Sequence, residues 1–285
     1  MKRNHILLVT FCAALLLQSS HVAAMPYTVL LESEPGVFPS TELFHLRYDS
    51  FQDVIDNQLS GSGFGDYDPG DEYSVAGIAH DGSYRVLLES EPGVFPSTQV
   101  FHLSYDSFED YVNHQPSSFG FSDYDPGDTY SIAGFAYDGA YQVILESEPG
   151  AFASTEVFYL TFDTFDDLLT NQPSAFGFSD YSPGDTYSIA GVSYDGLYRV
   201  LLESEPGAFA GTQVFQLTFD SFADFIDNNP SDFGFSDIDP GDTYSIAAFV
   251  SEVNDSSRIP LPSPLGLLAA GAIAALARQK KRAEG

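Results

Sequence analysis

The sequence has little cysteine, and this shortage excludes several kinds of chemistry. Its single cysteine, Cys12, lies in an apolar run near the N-terminus. If that segment is removed on export, the remaining chain has no thiol, which excludes disulfides, thiolate metal sites and a cysteine nucleophile. Stability must then come from packing or from bound ions.

Basic side chains are also scarce. Residues 25–258 contain 40 acidic side chains and only four basic ones, which are Arg47, Arg85, Arg199 and Arg258. Such a surface repels nucleic-acid phosphates and anionic lipids, so neither is an expected partner. Cations are the expected counterparts, although the charge has a simpler alternative role in keeping an exported protein in solution. The 25 Phe and 17 Tyr residues supply a substantial core, which predicts a globular chain.

The N-terminus has the pattern of a secretory signal peptide. Lys2 and Arg3 precede an apolar run from Ile6 to Leu17, and Val22 and Ala24 place small residues at the −3 and −1 positions of a cleavage site. We therefore expect residues 1–24 to be removed after Ala24 and the rest of the chain to be exported.

The C-terminus has three successive parts, within residues 259–285. A proline-rich start is followed by an apolar run from Leu265 to Ala277 and by a basic cluster. A run of about 13 to 17 residues is marginal for a membrane crossing, which takes about 20, and the basic cluster favours a cytoplasmic end. The residues that define this pattern are Pro260, Leu261, Pro262, Arg278, Lys280, Lys281 and Arg282.

This layout resembles the PEP-CTERM sorting signal of Gram-negative bacteria, in its Pro-Leu-Pro variant. Leu261 stands where the usual form has Glu, and Ala283, Glu284 and Gly285 continue past the basic cluster. The resemblance implies recognition and cleavage by an exosortase, a membrane-embedded transpeptidase. It also implies transient anchoring in the inner membrane and a final place at the cell surface or outside the cell. The alternative is a C-terminal anchor that is never cut.

Between these ends lie four copies of one unit, at 26–83, 84–140, 141–197 and 198–258. Tyr27, Tyr84, Tyr141 and Tyr198 recur every 57 residues, and the segment Leu-Glu-Ser-Glu-Pro-Gly is unchanged in all four units. A fixed period of this size indicates a repeat architecture in which neighbouring units complete each other's core.

Each unit reads as three strands and one short helix. In the second unit the strands are predicted at 84–91, 99–105 and 129–137. A helix of about two turns is predicted at 108–114, with Asp106 or Ser107 as its N-cap and Pro116 as its end. The segment 117–128 reads as a loop, and Asp138-Gly139 suits a hairpin into the next unit.

The fold class is therefore mainly β with short helices. If the units form a ring, the last strand, 243–250, pairs with 27–34 and no edge is left open. The third strands have the smallest residues, such as Ala133-Gly134, as strands around a central axis need. This arrangement is similar in pattern to four-bladed hemopexin-type propellers. An open row of β-rich units is the alternative.

The acidic loop before each third strand is the main candidate for a metal site. If the third strands surround an axis, Asp71, Asp128, Asp185 and Asp242 form a ring of like charges that a cation such as calcium would relieve. Asp68, Asp125 and Asp239 are weaker candidate ligands, and Asp66, Asp123, Asp180 and Asp237 lie in the same loops. The alternative is a simple turn in which Asp side chains cap backbone N–H groups.

Two further patterns are weaker indications, and both concern carbohydrates. Glu89 and Glu91 lie at i, i+2 on one strand face, and paired carboxylates can hydrolyse glycosides. Four nearly identical copies argue against catalysis, because acid and base need different environments. Tyr67, Tyr124 and Tyr181 are expected to be exposed and could stack on sugars, but Ile238 interrupts the series and packing is the alternative.

Three functions remain open. The first is a non-enzymatic, exported surface or matrix protein with a structural or adhesive role, associated with extracellular polysaccharide. The second is a calcium- or glycan-binding module, and the third is a hydrolase.

Overall fold

The structure is a closed ring of four β-sheets. The computed structural model describes residues 25–34, 36–70, 72–241 and 243–252. Within them, sixteen strands form four antiparallel sheets of four strands each, arranged as a four-bladed β-propeller. This confirms the predicted mainly β ring and excludes the open row.

The blades are numbered from the N-terminus, and their strands are given from the axis outward. Blade 1 contains β16 (Tyr244–Ser251), β1 (Tyr27–Ser33), β2 (Leu43–Tyr48) and β3 (Gly61–Phe64). Blade 2 contains β4 (Tyr73–His80), β5 (Tyr84–Ser90), β6 (Val100–Tyr105) and β7 (Ser118–Ser122). Blade 3 contains β8 (Tyr130–Tyr137), β9 (Tyr141–Ser147), β10 (Val157–Phe162) and β11 (Ala175–Ser179). Blade 4 contains β12 (Tyr187–Tyr194), β13 (Tyr198–Ser204), β14 (Val214–Phe219) and β15 (Asp232–Ser236).

Closure depends on the two ends of the described chain. β16 pairs antiparallel with β1, so that Tyr27 lies opposite Ser251 and Ser33 opposite Tyr244. Each blade therefore takes its inner strand from the preceding sequence unit, as the predicted offset requires. Because residues 25–252 complete all four sheets, they form a self-contained folding unit.

The prediction of a loop between the helix and the inner strand was wrong in part. Residues 118–122 form β7, which pairs with β6 along its whole length, and the other blades have equivalent edge strands. We call β3, β7, β11 and β15 the edge strands. The sequence Ser-Phe-Gly-Phe-Ser alternates with period two, but it is short and centred on glycine, and glycine weakens the strand signal.

Along the chain, each helix follows β2, β6, β10 or β14 and precedes the edge strand of the same blade. The helices are shorter than predicted. They are α1 (Phe51–Ile55), α2 (Phe108–Val112), α3 (Phe165–Leu169) and α4 (Phe222–Ile226). In α2 the predicted N-cap Ser107 accepts a hydrogen bond from the N–H of Asp110 at 3.1 Å. The helix ends before His114, whose φ is +49°, rather than at Pro116. A left-handed residue at this point terminates a helix because it turns the backbone away from the helical path.

The inner strands approach one another closely at the axis. A Cβ atom on Gly191 would lie 2.8 Å from the backbone nitrogen of Phe249 in the neighbouring blade. Gly77 and Gly134 are similarly crowded by Phe135 and Val192. Next to each such residue the inner strand has a one-residue bulge, at Ala76, Ala133, Ala190 and Ala247. The small residues predicted for the inner strands are thus required by the contact between blades.

Four hydrophobic cores lie between neighbouring blades. The core between blades 1 and 2, for example, combines Leu30 and Leu43 with Val86 and Leu103. Three of the rare arginines add cation–π contacts across these boundaries: Arg47, Arg85 and Arg199 lie over Phe108, Phe165 and Phe51 at 4.1, 4.8 and 4.2 Å from the ring centres.

No helix in the described part of the chain is long and apolar enough to cross a membrane. The predicted signal peptide with Ala24, and the predicted sorting segment with Pro260, Leu261, Pro262, Arg278, Lys280, Lys281 and Arg282, lie outside the described residues. Their roles stay predictions.

Candidate functional site

A cavity of about 260 Å³ opens at one end of the axis, which we call the wide mouth. Its wall is formed by the first halves of the four inner strands, including Ser74, Ala133, Ala190 and Ala247. Glu32 and Glu91 lie beside it. At the opposite end, the narrow mouth, the space between His80, Tyr137, Tyr194 and Ser251 is only about 10 Å³, enough for about one water molecule.

Four buried glutamates surround the wide mouth. They are the first glutamates of the repeated Leu-Glu-Ser-Glu-Pro-Gly segments, and we call Glu32, Glu89, Glu146 and Glu203 the glutamate ring. Each carboxylate accepts a hydrogen bond from a backbone N–H on the inner strand of the next blade. The bonds come from Val75, Ile132, Ile189 and Ile246 at 3.1, 2.8, 2.9 and 2.8 Å.

The position of these N–H groups explains why a side-chain acceptor is needed. Each precedes the bulged alanine of its inner strand, and inner strands of different blades do not pair with one another. A buried N–H without a partner would cost free energy comparable to a lost hydrogen bond. The glutamate ring therefore satisfies four backbone donors and links every blade to the next.

Burial changes the acidity of these carboxyls. The four side chains are only 7 to 9% exposed, and desolvation raises the pKa of Glu32 to about 8 and those of Glu89, Glu146 and Glu203 to about 7. The backbone hydrogen bonds lower each pKa but do not offset burial. Neighbouring carboxylates, such as Glu91 beside Glu32, raise it further. The ring is thus partly protonated near neutral pH.

Polar clefts extend outward from the wide mouth between blades. One, of about 490 Å³, lies between the β13–β14 loop and the start of β16, and is lined by Glu203, Glu205, Phe209 and Tyr244. An equivalent cleft of about 520 Å³ lies between the β9–β10 loop and the start of β12, lined by Glu146, Phe152, Tyr187 and Glu205. Each combines aromatic rings with carboxylates.

The two glutamates of each repeated segment occupy different environments. Glu89 is buried and bonded to the next blade, whereas Glu91 is half-exposed. The sequence argument against catalysis was that four nearly identical copies do not give the two glutamates of a pair, such as Glu89 and Glu91, different surroundings. Within one copy the surroundings differ, although the buried member is occupied by a structural hydrogen bond.

The candidate metal ligands Asp68, Asp125 and Asp239 have the geometry of turns. Each accepts a hydrogen bond from the N–H of the glycine two residues later, at 2.8, 2.8 and 3.0 Å. Ser182, the equivalent residue in the third unit, instead donates to the carbonyl of Thr155. This is the capping role given above as the alternative to ion binding.

The predicted aspartate ring is only partly within the described residues. Asp71 and Asp242 lie outside them. Asp128 accepts a long hydrogen bond from Thr98 at 3.4 Å, and Asp185 one from Thr155 at 3.5 Å. Thr98 lies just before β6 of blade 2, and Thr155 lies just before β10 of blade 3. Asp128 and Asp185 precede the inner strands of the next blades, so both lie between blades. Neither lines the cavity at the wide mouth.

The remaining loop aspartates bind the next blade through their backbone. The N–H groups of Asp66, Asp123, Asp180 and Asp237 donate to the last carbonyls of α2, α3, α4 and α1, at 2.7 to 2.9 Å. Among the described residues, no group of three or more His, Cys, Asp and Glu side chains is arranged to hold a metal ion. Calcium binding stays a prediction.

The tyrosines considered for sugar stacking are not exposed. Tyr67, Tyr124 and Tyr181 are 2 to 3% exposed and belong to the cores between blades, as does Ile238. The packing alternative is therefore the one that the structure shows.

The most exposed aromatic residues lie elsewhere, on the edge strands, and sequence reasoning missed them. Phe119 and Phe121 on β7 are 71 and 65% exposed. The equivalent residues are Phe176 and Phe178 on β11, Phe233 and Phe235 on β15, and Phe64 on β3, all 64 to 68% exposed. Their two-residue spacing was the signal that could have identified both the strand and its exposed face.

A second ring of polar contacts joins the blades at the narrow mouth. The hydroxyls of Tyr27, Tyr141 and Tyr198 donate to Asp195, Asp81 and Asp138, which lie in the inner hairpin of the preceding blade. In blade 1 the chain ends its sheet with β16 and has no such hairpin. Glu252 takes the place of the aspartate there, and accepts from Tyr84 and from Arg47.

No protein-family model, curated protein or solved structure matches this chain.

Proposed function

We propose that this protein is a non-enzymatic, exported component of the cell surface or extracellular matrix, with a structural or adhesive role. The observation that carries the proposal is the repeated display of one aromatic edge around a closed, strongly acidic ring. Exposed apolar patches on otherwise polar surfaces mark interaction sites. Because the blades repeat the same patch, one molecule can engage several partners at once.

The hydrogen bonds of the repeated glutamates support a structural role. The first glutamate of every Leu-Glu-Ser-Glu-Pro-Gly segment is bonded to the next blade, so the repetition of this segment has an architectural explanation. A repeated motif that stabilises the ring does not need a catalytic explanation.

The ends of the chain supply the proposed route. Export would remove residues 1–24, and the C-terminal segment would hold the protein in the inner membrane until an exosortase-type transpeptidase cuts near Pro262. The released ring would then associate with extracellular polysaccharide or with the cell surface.

Mass spectrometry of the protein recovered from its native host tests this route. The expected mature chain begins at Met25 and ends near Pro262. Replacement of Arg278, Lys280, Lys281 and Arg282 by Ser is expected to impair retention before cleavage, because these charges fix the topology. Intact peptides through Lys280 in the extracellular pool would contradict the processing proposal, and a cytoplasmic location would contradict the function.

A glycan- or calcium-binding module is the second candidate, and the clefts favour it. Phe209 and Tyr244 provide aromatic surface beside Glu203 and Glu205 in a cavity of sugar size. Calorimetric titration of residues 25–252 with calcium, magnesium and a panel of glycans separates the candidates. Heat that is lost on Phe209→Thr would support a glycan site in this cleft. If no titrant produces heat, the binding module is excluded and the structural role remains the proposed function.

A further inference from the structure

The edge strands β7 and β11 lack the charged residues and prolines by which many proteins prevent edge-to-edge association. Natural edges are protected by lysine, proline, bulges or covering elements. β7 reads Ser-Phe-Gly-Phe-Ser and β11 reads Ala-Phe-Gly-Phe-Ser, with no charge and no proline in a region that has 40 acidic residues. β15 differs only by Asp232 at its first position. Among the described residues, each of these strands pairs on one side only, so the outer edge of its blade is open. The prediction that ring closure leaves no edge open was therefore wrong for the rim.

The sequence of β7, Ser-Phe-Gly-Phe-Ser, is a palindrome, and β11 and β15 share its central Phe-Gly-Phe. This symmetry favours a second copy of the same strand as the partner. If two β7 strands pair antiparallel about a two-fold axis through Gly120, Phe119 lies opposite the partner copy's equivalent of Phe121, and serine lies opposite serine. An interface of this kind is isologous and self-complementary. Cross-strand aromatic pairs stabilise antiparallel sheets.

We propose that the rings associate through antiparallel pairing of edge strands β7, β11 and β15 with the same strands of other copies. The proposal rests on the structural role given above and names its partner. Each contact joins two four-stranded blades into one continuous sheet, and brings the exposed phenylalanines of both copies together on one face. Phe101, whose ring centre is 5.0 Å from that of Phe121, already extends this aromatic face toward the axis.

The glycine at the centre of each strand fits this geometry. A Cβ on Gly120 would lie 2.8 Å from the His102 ring, and one on Gly177 would lie 2.9 Å from the Tyr159 hydroxyl. Because glycine has no Cβ, the His102 and Tyr159 side chains can pack directly against the backbone of the edge strand. The edge strand therefore stays in the plane of its sheet and accessible to a partner strand.

The exposed area indicates a weak individual contact. A phenylalanine buries roughly 150 to 250 Å² when fully covered. The four partly exposed rings of one paired edge would therefore contribute about 500 Å², and a stable interface buries at least about 1,000 Å². Association must depend on several edges at once, and three such edges on one ring allow a branched network rather than a closed dimer.

Blade 1 provides an internal contrast. Its edge strand, β3, has four residues, Gly-Ser-Gly-Phe, so Ser62 replaces the first phenylalanine and the palindrome is lost. The proposal therefore assigns association to three blades and leaves the fourth free.

Sedimentation velocity of residues 25–252 at increasing protein concentration tests the proposal. We expect the mean mass to rise with concentration, and to rise further with salt, because salt screens repulsion between acidic rings. The variant with Phe119, Phe121, Phe176, Phe178, Phe233 and Phe235 changed to Thr should stay monomeric. The matched control changes Phe152 and Phe209, which are 41 and 40% exposed outside the edge strands, to Thr. It should associate like the original protein.

A cross-linking experiment tests the register. Residues 25–252 contain no cysteine, so single cysteines can be introduced without competing thiols. Under oxidising conditions, Phe119→Cys mixed with Phe121→Cys should form the mixed disulfide dimer several times faster than either variant forms a dimer alone. Equal rates for all three combinations would show association without the palindromic register and would overturn the proposed pairing.

The other outcomes are also informative. A protein that is monomeric at every concentration and salt condition would overturn the proposal. If such a monomer bound an insoluble neutral glycan, and lost that binding in the six-phenylalanine variant, the rim would be a sugar-stacking surface. Correct localisation in the host would then still support the proposed function, because export and retention do not depend on pairing between rings.

Discussion

Blade 1 differs from blades 2, 3 and 4 because it is assembled from both ends of the described chain. It retains the glutamate bond to the next blade and replaces the hairpin aspartate with Glu252, yet it has one edge phenylalanine instead of two. Blade 1 keeps the hydrogen bonds between blades even where its residues differ, which indicates that the ring needs these bonds. It does not keep the second edge phenylalanine. The edge phenylalanines are therefore not needed for the ring and are available to contact other molecules.

The largest expected effect is at the axis, where blade 4 has Gly191 and blade 1 has Ala248. Gly191→Val should destabilise the protein by about 3 kcal/mol or more, since even its Cβ would overlap the Phe249 backbone. Urea unfolding measures the change. Ala248→Gly is the matched control, because it removes a methyl group at the equivalent position of blade 1, and it should cost only about 1 kcal/mol. A similar cost for both would show that the axis is not tightly packed.

The glutamate ring predicts a stability that falls as pH rises. Because burial holds the four folded pKa values at about 7 to 8, above those of an unfolded chain, the folded protein retains protons that the unfolded chain has lost. Stability from these groups is therefore complete below about pH 4 and declines until about pH 8. Thermal unfolding between pH 5 and 9 measures this decline.

Single substitutions in the ring extend the comparison of blades. Glu32→Gln and Glu89→Gln both preserve an oxygen acceptor and remove the titration. At pH 9, Glu32→Gln should stabilise more than Glu89→Gln by about 1 kcal/mol, because the pKa of Glu32 is higher and its bond to Val75 is longer. Gln substitutions that leave the slope with pH unchanged would assign the slope to the general acidic charge.

Glu252 tests whether the closing blade needs its substitute for the hairpin aspartate. Glu252→Ala should destabilise by about 2 kcal/mol, because Tyr84 and Arg47 lose their acceptor. Asp195→Ala in blade 4 should cost more, because Asp195 also accepts the N–H of Leu197. Chemical unfolding of both variants gives the order, and the reverse order would mean that the two carboxylates are not equivalent.

The smallest expected effect on stability is at the rim. Phe119→Thr with Phe121→Thr should change the free energy of unfolding by no more than about 0.5 kcal/mol, since both side chains are largely exposed. A clear loss of stability would show that these rings support the fold and would weaken their proposed role in association.

The sequence favoured the ring, with an open row as the alternative, but did not reveal its sites. The 57-residue period, the offset of the hairpin and the small inner residues predicted closure, because these features act through backbone pairing and close packing. The glutamate ring could not be found in this way, since its partners are backbone N–H groups about 43 residues later, in another blade.

The sequence left two interpretations of the acidic loops open for a related reason. Asp68 and Asp125 have spacing that suits either an ion or a turn, and only the hydrogen bond to the following glycine distinguishes the two. The edge strand was missed because its phenylalanines point to solvent. Sequence patterns identify strands mainly through the residues that they bury.

The pairing of β1 with β16 also determines how the molecule responds to force. Tyr27 lies opposite Ser251, and the N–H of Glu252 donates to the carbonyl of Pro26, so both ends of the ring emerge together at the narrow mouth. Tension applied between these two ends would separate the pair one hydrogen bond at a time, beginning at Tyr27. Tension applied between the N-terminal end of β1 and the rim would instead act on a strand that is paired with both β16 and β2. A ring held by this end alone would therefore be held by two strand pairings of blade 1 and not by the terminal pairing only.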